Sequence, residues 1–180
     1  MNNKRKVCVV VASRANYGRI KSTMRAIQEH PDLELQVVVG ASALLQRYGK
    51  AIDYIEADGF KVDSKVFMVI EGESPTTMAK STGLAIIELA TIFENLAPDI
   101  VLTVADRYET LSTAVAASYM NKVLIHSQGG EITGSIDESV RHAITKLSHI
   151  HFASTKKSKR NIIRLGENKK NVYFSGCPSI

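Results

Sequence analysis

The sequence predicts an α/β fold: a Rossmann-like parallel sheet with helices on both faces. Apolar runs rich in β-branched residues alternate along the chain with segments of helical periodicity. About seven such runs, each separated by a helical segment, are typical of a parallel sheet with right-handed crossovers. With 44% apolar residues and only 4 prolines, the chain can bury a full core. Its 180 residues fit one domain, or one large half of a two-domain enzyme.

Each predicted element follows from a local pattern. The strands are short β-branched runs bounded by turn residues: 6–12, 33–40, 66–70, 99–104, 123–126, 150–153 and 172–174. The helices repeat apolar residues every three or four positions: 17–30, 51–58, 76–95, 107–120, 137–147 and a basic helix within 156–170. Gly59 follows the second helix and is expected to stop it.

The positive charge is concentrated near the end of the chain. The net charge is +5, and residues 156–170 hold seven Lys or Arg against one Glu, a net of +6. A basic stripe can bind nucleic acid, yet no helix-turn-helix, zinc or RNA-binding pattern accompanies this one. We therefore interpret it as a solvated helix face and expect no nucleic-acid partner.

Several features indicate a cytoplasmic protein without a membrane partner. No apolar run approaches the roughly 20 residues needed to span a bilayer. The first six residues are basic, but the apolar run after them is too short for a signal peptide. Cys8 and Cys177 match no zinc spacing and fit a reducing compartment, with Cys8 expected in the core.

In parallel sheets the functional residues lie on loops at the carboxyl ends of strands. Four loops therefore matter, those after Ala12, Val104, His126 and Phe174. The first reads SRANYGR, which lacks the GxGxxG fingerprint, and the chain has no Walker A sequence, so we expect no nicotinamide cofactor. Arg14, beside a helix N-terminus, is a candidate phosphate ligand. It could equally be an arginine exposed on a loop.

The loop after Val104 places Asp106 and Arg107 together. Asp106 could simply cap the following helix. Arg107 in a first helical turn opposes the helix dipole. An arginine at an electrostatically unfavourable position in this loop indicates that the site binds an anionic partner.

Residues 126–146 (HSQGGEITGSIDESVRHAITK) are the most informative stretch. Gly129 and Gly130 allow a tight turn or a close approach to a ligand. Asp137 could cap the next helix, and it shares a helix face with Arg141, so a structural salt bridge explains that pair as well as catalysis does. His142 lies beside them.

Other chemistries lack a pattern. His126, His149 and His151 flank strands and are interpreted as core or surface histidines. No grouping has metal-ligand spacing, and there is no GxSxG nucleophile motif. The residues alone thus predict a ligand-binding α/β domain for an anionic, phosphorylated small molecule.

Four motifs together resemble one family, the hydrolysing UDP-N-acetylglucosamine 2-epimerases of sialic-acid-type pathways. They are RANY at 14–17, ADRYE at 105–109, the segment 126–146 and GCPS at 176–179. The resemblance runs from about residue 6 to the end of the chain and covers the family's N-terminal domain. It implies half of a GT-B fold, in which two Rossmann-like domains hold the substrate between them. Residues 1–175 would form the domain, and 176–180 would begin a hinge to a second domain.

The resemblance also implies a reaction without cofactor or metal. UDP is eliminated after proton removal at C2, and water then adds to the glycal, which yields UDP and N-acetylmannosamine. By the match, Asp106 and Asp137 are the carboxylates, while Arg14 and Arg107 lie near the nucleotide phosphates. Arg141 and His142 would line the sugar side. The resemblance further implies that the full-length protein forms a homodimer or homotetramer.

The chain departs from the family pattern at two positions. Ala105 stands where Gly is usual, and its methyl group is expected to crowd the loop slightly. Gln128 stands where many members carry a catalytic Glu, and an amide cannot transfer a proton. Glu131 is then the candidate for that acid or base role, or Gln128 only orients the sugar.

Three other functions stay open at this point. They are an epimerase acting on another nucleotide sugar, such as a diacetylated bacillosamine donor, half of a GT-B glycosyltransferase, and a non-catalytic nucleotide-sugar-binding module. In the family the second domain supplies much of the nucleotide pocket. We therefore expect these 180 residues alone to be inactive or nearly so.

Overall fold

The computed structural model describes residues 4–178 and contains the predicted parallel sheet. Its seven strands pair in the order β3-β2-β1-β4-β5-β6-β7, and every pairing is parallel. The strands are β1 Arg5–Val11, β2 Leu33–Gly40, β3 Ser64–Val66, β4 Ile100–Val104, β5 Val123–Ser127, β6 Ile150–Ala153 and β7 Val172–Phe174. The fold class is therefore confirmed. Ser179 of the fourth motif and the end of the expected hinge lie outside the described residues.

Helices cover the two faces of the sheet. They are α1 Arg14–Glu29, α2 Ala51–Ala57, α3 Pro75–Leu96, α4 Tyr108–Tyr119, α5 Ile136–Leu147 and α6 Lys156–Arg164. Short 3₁₀ turns occur at Ala41–Leu44, Gln46–Tyr48 and Lys169–Asn171. No helix in the described range 4–178 is long and apolar enough to cross a membrane.

Alternation along β1 divides the core into two layers. Val7, Val9 and Val11 face the layer that includes α1 and α2, while Cys8 and Val10 face the layer of α3, α4 and α5. This follows from the period of two along a strand, and both faces are apolar because both are covered. Cys8 is fully buried, so its predicted place in the core is confirmed, and burial raises the pKa of its thiol to about 12.

Two predicted boundaries were wrong, the start of the first helix and the range of the third strand. The first helix begins at Arg14 instead of residue 17, because the Ser13 hydroxyl caps it by accepting the Asn16 N–H at 3.1 Å. The third strand is Ser64–Val66, so residues 67–70 lie beyond it. The basic helix ends at Arg164 and is followed by Gly166 in the left-handed region, with φ +97°.

The basic helix α6 presents its charges to solvent. Lys156, Lys157, Arg160 and Arg164 are exposed, whereas Ile162 is buried. The interpretation of this stretch as a solvated helix face is confirmed for these four side chains.

The strand order places a ligand crevice between β1 and β4. These strands are neighbours, and α1 and α4 leave them toward opposite faces of the sheet. Such a switch point opens a crevice at the carboxyl edge, where open α/β sheets bind ligands. The loops after β1, β4 and β5 meet there.

Candidate functional site

An ion pair joins two of the predicted site segments. The guanidinium of Arg141 on α5 contacts the carboxylate of Asp106 in the loop after β4. A second nitrogen of Arg141 donates to the backbone carbonyl of Glu131 at 2.6 Å. Arg141 is only 3% exposed, so a buried cation connects both loops to α5. A buried charge needs this kind of pairing, which fixes the position of all three groups.

The two helix-capping interpretations were wrong. Arg107, not Asp106, is the N-cap residue of α4 and therefore precedes its first turn. Ser135 is the N-cap residue of α5, and Asp137 lies within the first turn. Within residues 4–178, Arg141 pairs with Asp106 and makes no ion pair with Asp137. Asp106 is thus held by Arg141, whereas Asp137 neither caps α5 nor forms an ion pair within the described residues.

Glu109 is a site residue that the sequence interpretation missed. It lies in the first turn of α4, is 4% exposed, and its Oε2 has no hydrogen-bond partner among the described residues. Burial raises the pKa of its carboxyl; its own backbone N–H and Arg107 oppose this rise, while the charges of Asp137 and Asp106 add to it. Three carboxylates therefore interact electrostatically at this edge. The ADRYE motif contained the signal, since its Glu follows Asp106 by three residues.

Two arginines bring positive charge to the same edge. Arg107 is 59% exposed, and its Nε lies 3.7 Å from Oε2 of Glu109. Arg14 is exposed on the first turn of α1, not on a loop, and lies over the Tyr54 ring, 5.0 Å from its centroid. The first turn of α1 contains no acidic residue. A helix N-terminus with an exposed arginine suits a phosphate group.

A cleft of about 310 Å³ lies beside Arg107. Its wall combines Arg47 and Arg107 with the apolar side chains of Ile70 and Met78 and the ring of Tyr108. Ile70 and Met78 are exposed to 38% and 48%. Apolar walls with a few charged groups are typical of small-molecule sites.

The double glycine after β5 serves close packing against the protein. A Cβ on Gly130 would lie 2.3 Å from the carbonyl oxygen of Ser158 in α6, and one on Gly129 would lie 2.9 Å from Nδ1 of His126. The Gly130 carbonyl also accepts from Asn161 of α6 at 2.9 Å. The close approach predicted for these glycines is thus an approach to the protein's own helix and histidine.

His126 is a core histidine, as predicted. It is fully buried, its Nε2 lies 2.8 Å from the Ala105 carbonyl, and its Nδ1 lies 3.2 Å from the Thr145 hydroxyl. Burial lowers its pKa to about 4, so the ring is neutral at physiological pH. It donates from Nε2 to Ala105 and connects the loops after β4 and β5.

Ala105 and Gln128 both have left-handed backbones. Their φ angles are +70° and +67°, in the region that glycine adopts without strain. The departure from Gly at Ala105 therefore places a Cβ on a left-handed backbone; crowding of the loop by its methyl group stays a prediction. At both positions the strained residue directly follows a strand that ends in the crevice.

Gln128 contacts two parts of the protein. Its Oε1 accepts from Arg19 at 3.0 Å, and its Nε2 lies 3.6 Å from the sulfur of Cys177. It therefore links α1 to the segment after β7. Glu131, three residues on, is half-buried, with its backbone carbonyl held by Arg141.

Glu138 and His142 order the loop before α5. One Glu138 oxygen accepts from the backbone N–H groups of Thr133 and Gly134 at 2.7 and 2.6 Å. These donors lower its pKa. His142 Nε2 lies 3.6 Å from the other oxygen, and its Nδ1 is buried without a partner in the described chain. Among residues 4–178, no group of His, Cys, Asp and Glu is arranged to hold a metal ion.

Comparison with known proteins matches the chain to one family. The family model described as UDP-N-acetylglucosamine 2-epimerase matches residues 25–180. A Legionella pneumophila protein named UDP-N,N'-diacetylbacillosamine 2-epimerase (hydrolyzing) is 35% identical over 98% of this chain and 47% of its own length. A Campylobacter jejuni GDP/UDP-N,N'-diacetylbacillosamine 2-epimerase (hydrolyzing) is 37% identical over 97% and 45%. The chain thus spans about half the length of these curated relatives.

Solved structures agree on the fold. A crystal structure of a UDP-N-acetylglucosamine 2-epimerase superposes with a TM-score of 0.88 at 23% identity, covering 99% of this chain and 49% of that one. The Neisseria meningitidis UDP-GlcNAc 2-epimerase bound to UDP-GlcNAc gives 0.86 at 23% identity, covering 97% and 47%. These neighbours are of the GT-B type, so the predicted half of a GT-B fold is confirmed.

Proposed function

This chain belongs to the UDP-N-acetylglucosamine 2-epimerase family, and we propose that it is the N-terminal half of a hydrolysing UDP-sugar 2-epimerase. The complete enzyme would convert UDP-N-acetylglucosamine and water into UDP and N-acetylmannosamine. The observation that carries the proposal is the Asp106–Arg141 ion pair. It joins the loops after β4 and β5 to α5, and so gathers carboxylates and an exposed arginine at one edge of the sheet.

The first step of the proposed reaction is an elimination. A carboxylate takes the proton from C2 of the sugar, the C–H electrons form the C1–C2 double bond, and the C1–O bond breaks as UDP leaves. Asp137 is our candidate for contact with C2, since no ion pair occupies it among residues 4–178. Arg107 and Arg14 would stabilise the negative charge on the departing pyrophosphate.

The second step is hydration of the glycal. A carboxylate removes a proton from water, the oxygen adds to C1, and C2 gains a proton on the opposite face, which inverts it. We assign these two proton transfers to Asp106 and Glu131. The backbone carbonyl of Glu131 is held by Arg141, which supports a fixed position for its side chain.

The remaining predicted binding residues keep supporting roles in this proposal. Gln128 would orient the sugar, because its amide already bridges Arg19 and Cys177. Arg141 is almost fully buried and would act on the sugar side by holding Asp106. His142, the residue after Arg141 on α5, would also contact the sugar.

A second substrate is supported by the relatives' names. The Legionella and Campylobacter proteins, at 35% and 37% identity, are named for a diacetylbacillosamine nucleotide. A Neisseria meningitidis protein named UDP-N-acetylglucosamine 2-epimerase is 29% identical. UDP-N,N'-diacetylbacillosamine is therefore the second candidate. Its 2-acetamido group is shared with UDP-N-acetylglucosamine, so the same chemistry at C2 applies.

The products decide between the functions. The complete enzyme is incubated with each UDP-sugar, and the products are identified by mass spectrometry. Free 2-acetamido sugar with inverted C2 and an equal amount of UDP supports the proposal. UDP-N-acetylmannosamine would indicate a non-hydrolysing epimerase, transfer of the sugar to an acceptor would indicate a glycosyltransferase, and unchanged substrate would indicate a binding module. Assembly as a dimer or tetramer and a cytoplasmic location stay predictions.

A further inference from the structure

Glu109 is buried, and one of its carboxylate oxygens has no hydrogen-bond partner within the described residues. Its side chain is 4% exposed, and Oε2 accepts no hydrogen bond from residues 4–178. Removing a carboxylate from water costs free energy that partners normally offset. The nearest cation is Arg107, with Nε at 3.7 Å from Oε2. The carboxylate therefore lies behind an exposed arginine at the mouth of the site.

Arg107 is oriented so that its outer nitrogens are available. Only Nε faces Glu109, and the two Nη nitrogens make no hydrogen bond to other residues of the described range 4–178. The side chain is 59% exposed beside the cleft lined by Ile70 and Met78. A guanidinium held through Nε presents its two Nη groups as a fork, the geometry that binds phosphate oxygens in pairs.

We propose that Glu109 is a positioning residue, the buried counter-ion that holds the Arg107 guanidinium in place to bind the diphosphate of the nucleotide. The inference rests on the proposed function, in which Arg107 meets that diphosphate. Glu109 itself does not touch the ligand; it acts through Arg107.

A structural role for Glu109 as a first-turn acid of α4 explains less. A carboxylate in the first turn interacts favourably with the helix dipole, but this interaction does not require the side chain to be buried. The matched case is Asp53, also a first-turn acid, which is 56% exposed and pairs with Lys50 at 2.8 Å. Glu109 instead is 4% exposed and lies 3.7 Å from Nε of Arg107.

The proposal has a pH signature. Besides Arg107, the groups that face Glu109 are Asp106, Asp137 and Tyr108. Burial raises the pKa of Glu109 above its ordinary value of 4.5, and the two aspartates add to that. Glu109 holds Arg107 only when ionised. The positioning is therefore present at high pH and is lost as the pH falls through the raised pKa.

The test measures UDP binding by calorimetry from pH 5 to pH 8 for the complete enzyme and the variants Glu109→Gln and Asp53→Asn. At pH 8 we expect Glu109→Gln to raise the Kd for UDP about fivefold, the loss of one ion pair of modest strength. As the pH falls through the raised pKa of Glu109, the ratio of the variant Kd to the wild-type Kd should fall from about five to one; the protonation of UDP itself affects both proteins and cancels in the ratio. Asp53→Asn should match the wild type throughout. In an Arg107→Ala background, Glu109→Gln should have no further effect.

Melting temperature gives a readout that needs no ligand. A carboxyl with a raised pKa in the folded state stabilises least above that pKa, so Glu109→Gln should melt higher than the wild type at pH 8 and converge with it below pH 4.5. An unchanged Kd, an equal effect in the Arg107→Ala background, or no gain in melting temperature at pH 8 would each overturn the inference. The proposed function fails separately, if the wild type releases no UDP from either sugar nucleotide.

Discussion

At the residue scale, the two aspartates proposed for catalysis differ in their surroundings. Asp106 neutralises a buried arginine, while Asp137 is partly exposed and makes no ion pair among residues 4–178. Replacing either one with Asn should remove proton transfer. Only the change at Asp106 should also leave Arg141 buried and unpaired.

We therefore expect Asp137→Asn and Asp106→Asn to lower kcat of the complete enzyme by about 100-fold. Asp106→Asn should in addition lower the free energy of unfolding by about 3 kcal/mol. Steady-state kinetics and urea unfolding measure the two effects. Equal stability of the two variants would contradict the assigned role of the ion pair, and full activity of Asp137→Asn would remove it from the mechanism.

Ala105 is strained at its backbone, with φ +70°. Glycine adopts that angle without a Cβ clash, and the residue's carbonyl and N–H contacts to His126 and Ser127 would be kept. Ala105→Gly should therefore stabilise the protein by about 1 kcal/mol, measured by urea unfolding. A loss of stability would show that the methyl group's packing outweighs the strain.

At the scale of elements, the loop after β5 depends on its close approach to α6. A Cβ on Gly130 would lie 2.3 Å from the backbone oxygen of Ser158, and backbone cannot move aside as a flexible side chain can. Gly130→Ala should lower the free energy of unfolding by about 3 kcal/mol. The control is Gly83→Ala in α3, where nothing lies within 4 Å and helix propensity should give a gain of about 1 kcal/mol.

The elements were predictable because each has a local cause. β-branched runs predicted all seven strands, and their alternation with helices predicted the parallel sheet. The N-cap residues were harder to predict than the helices themselves. They are Ser13, Ser135 and Arg107, and only the backbone geometry identifies them. A different N-cap residue shifts the end of a helix by one or two residues and leaves the fold unchanged.

The site was only partly predictable, because its partners are distant in sequence. Spacing suggested an Asp137–Arg141 pair on one helix face, but Arg141 pairs with Asp106, 35 residues away. The burial of Glu109 likewise depends on packing that no local pattern reports. The only local signal for Glu109 is its place in the ADRYE motif, directly after a strand, where carboxylates with a shifted pKa are typical of functional sites.

At the scale of the whole molecule, we propose that the chain supplies one wall of the substrate crevice. It spans about half the length of its curated relatives, and GT-B enzymes bind substrate between two domains. We expect residues 1–180 alone to release UDP from UDP-N-acetylglucosamine at less than about 1% of the rate of the complete enzyme, since a misplaced or incomplete site loses at least that factor. A coupled UDP assay at equal concentrations measures it, and a comparable rate would contradict the two-domain account.

The most direct test of the account is the fate of the hydrogen at C2. The complete enzyme is run in D₂O on UDP-N-acetylglucosamine, and the products are observed by proton NMR. Elimination and hydration predict UDP and free N-acetylmannosamine in equal amounts, with solvent deuterium at C2. Retention of the original hydrogen at C2, or a product still bound to UDP, would contradict it.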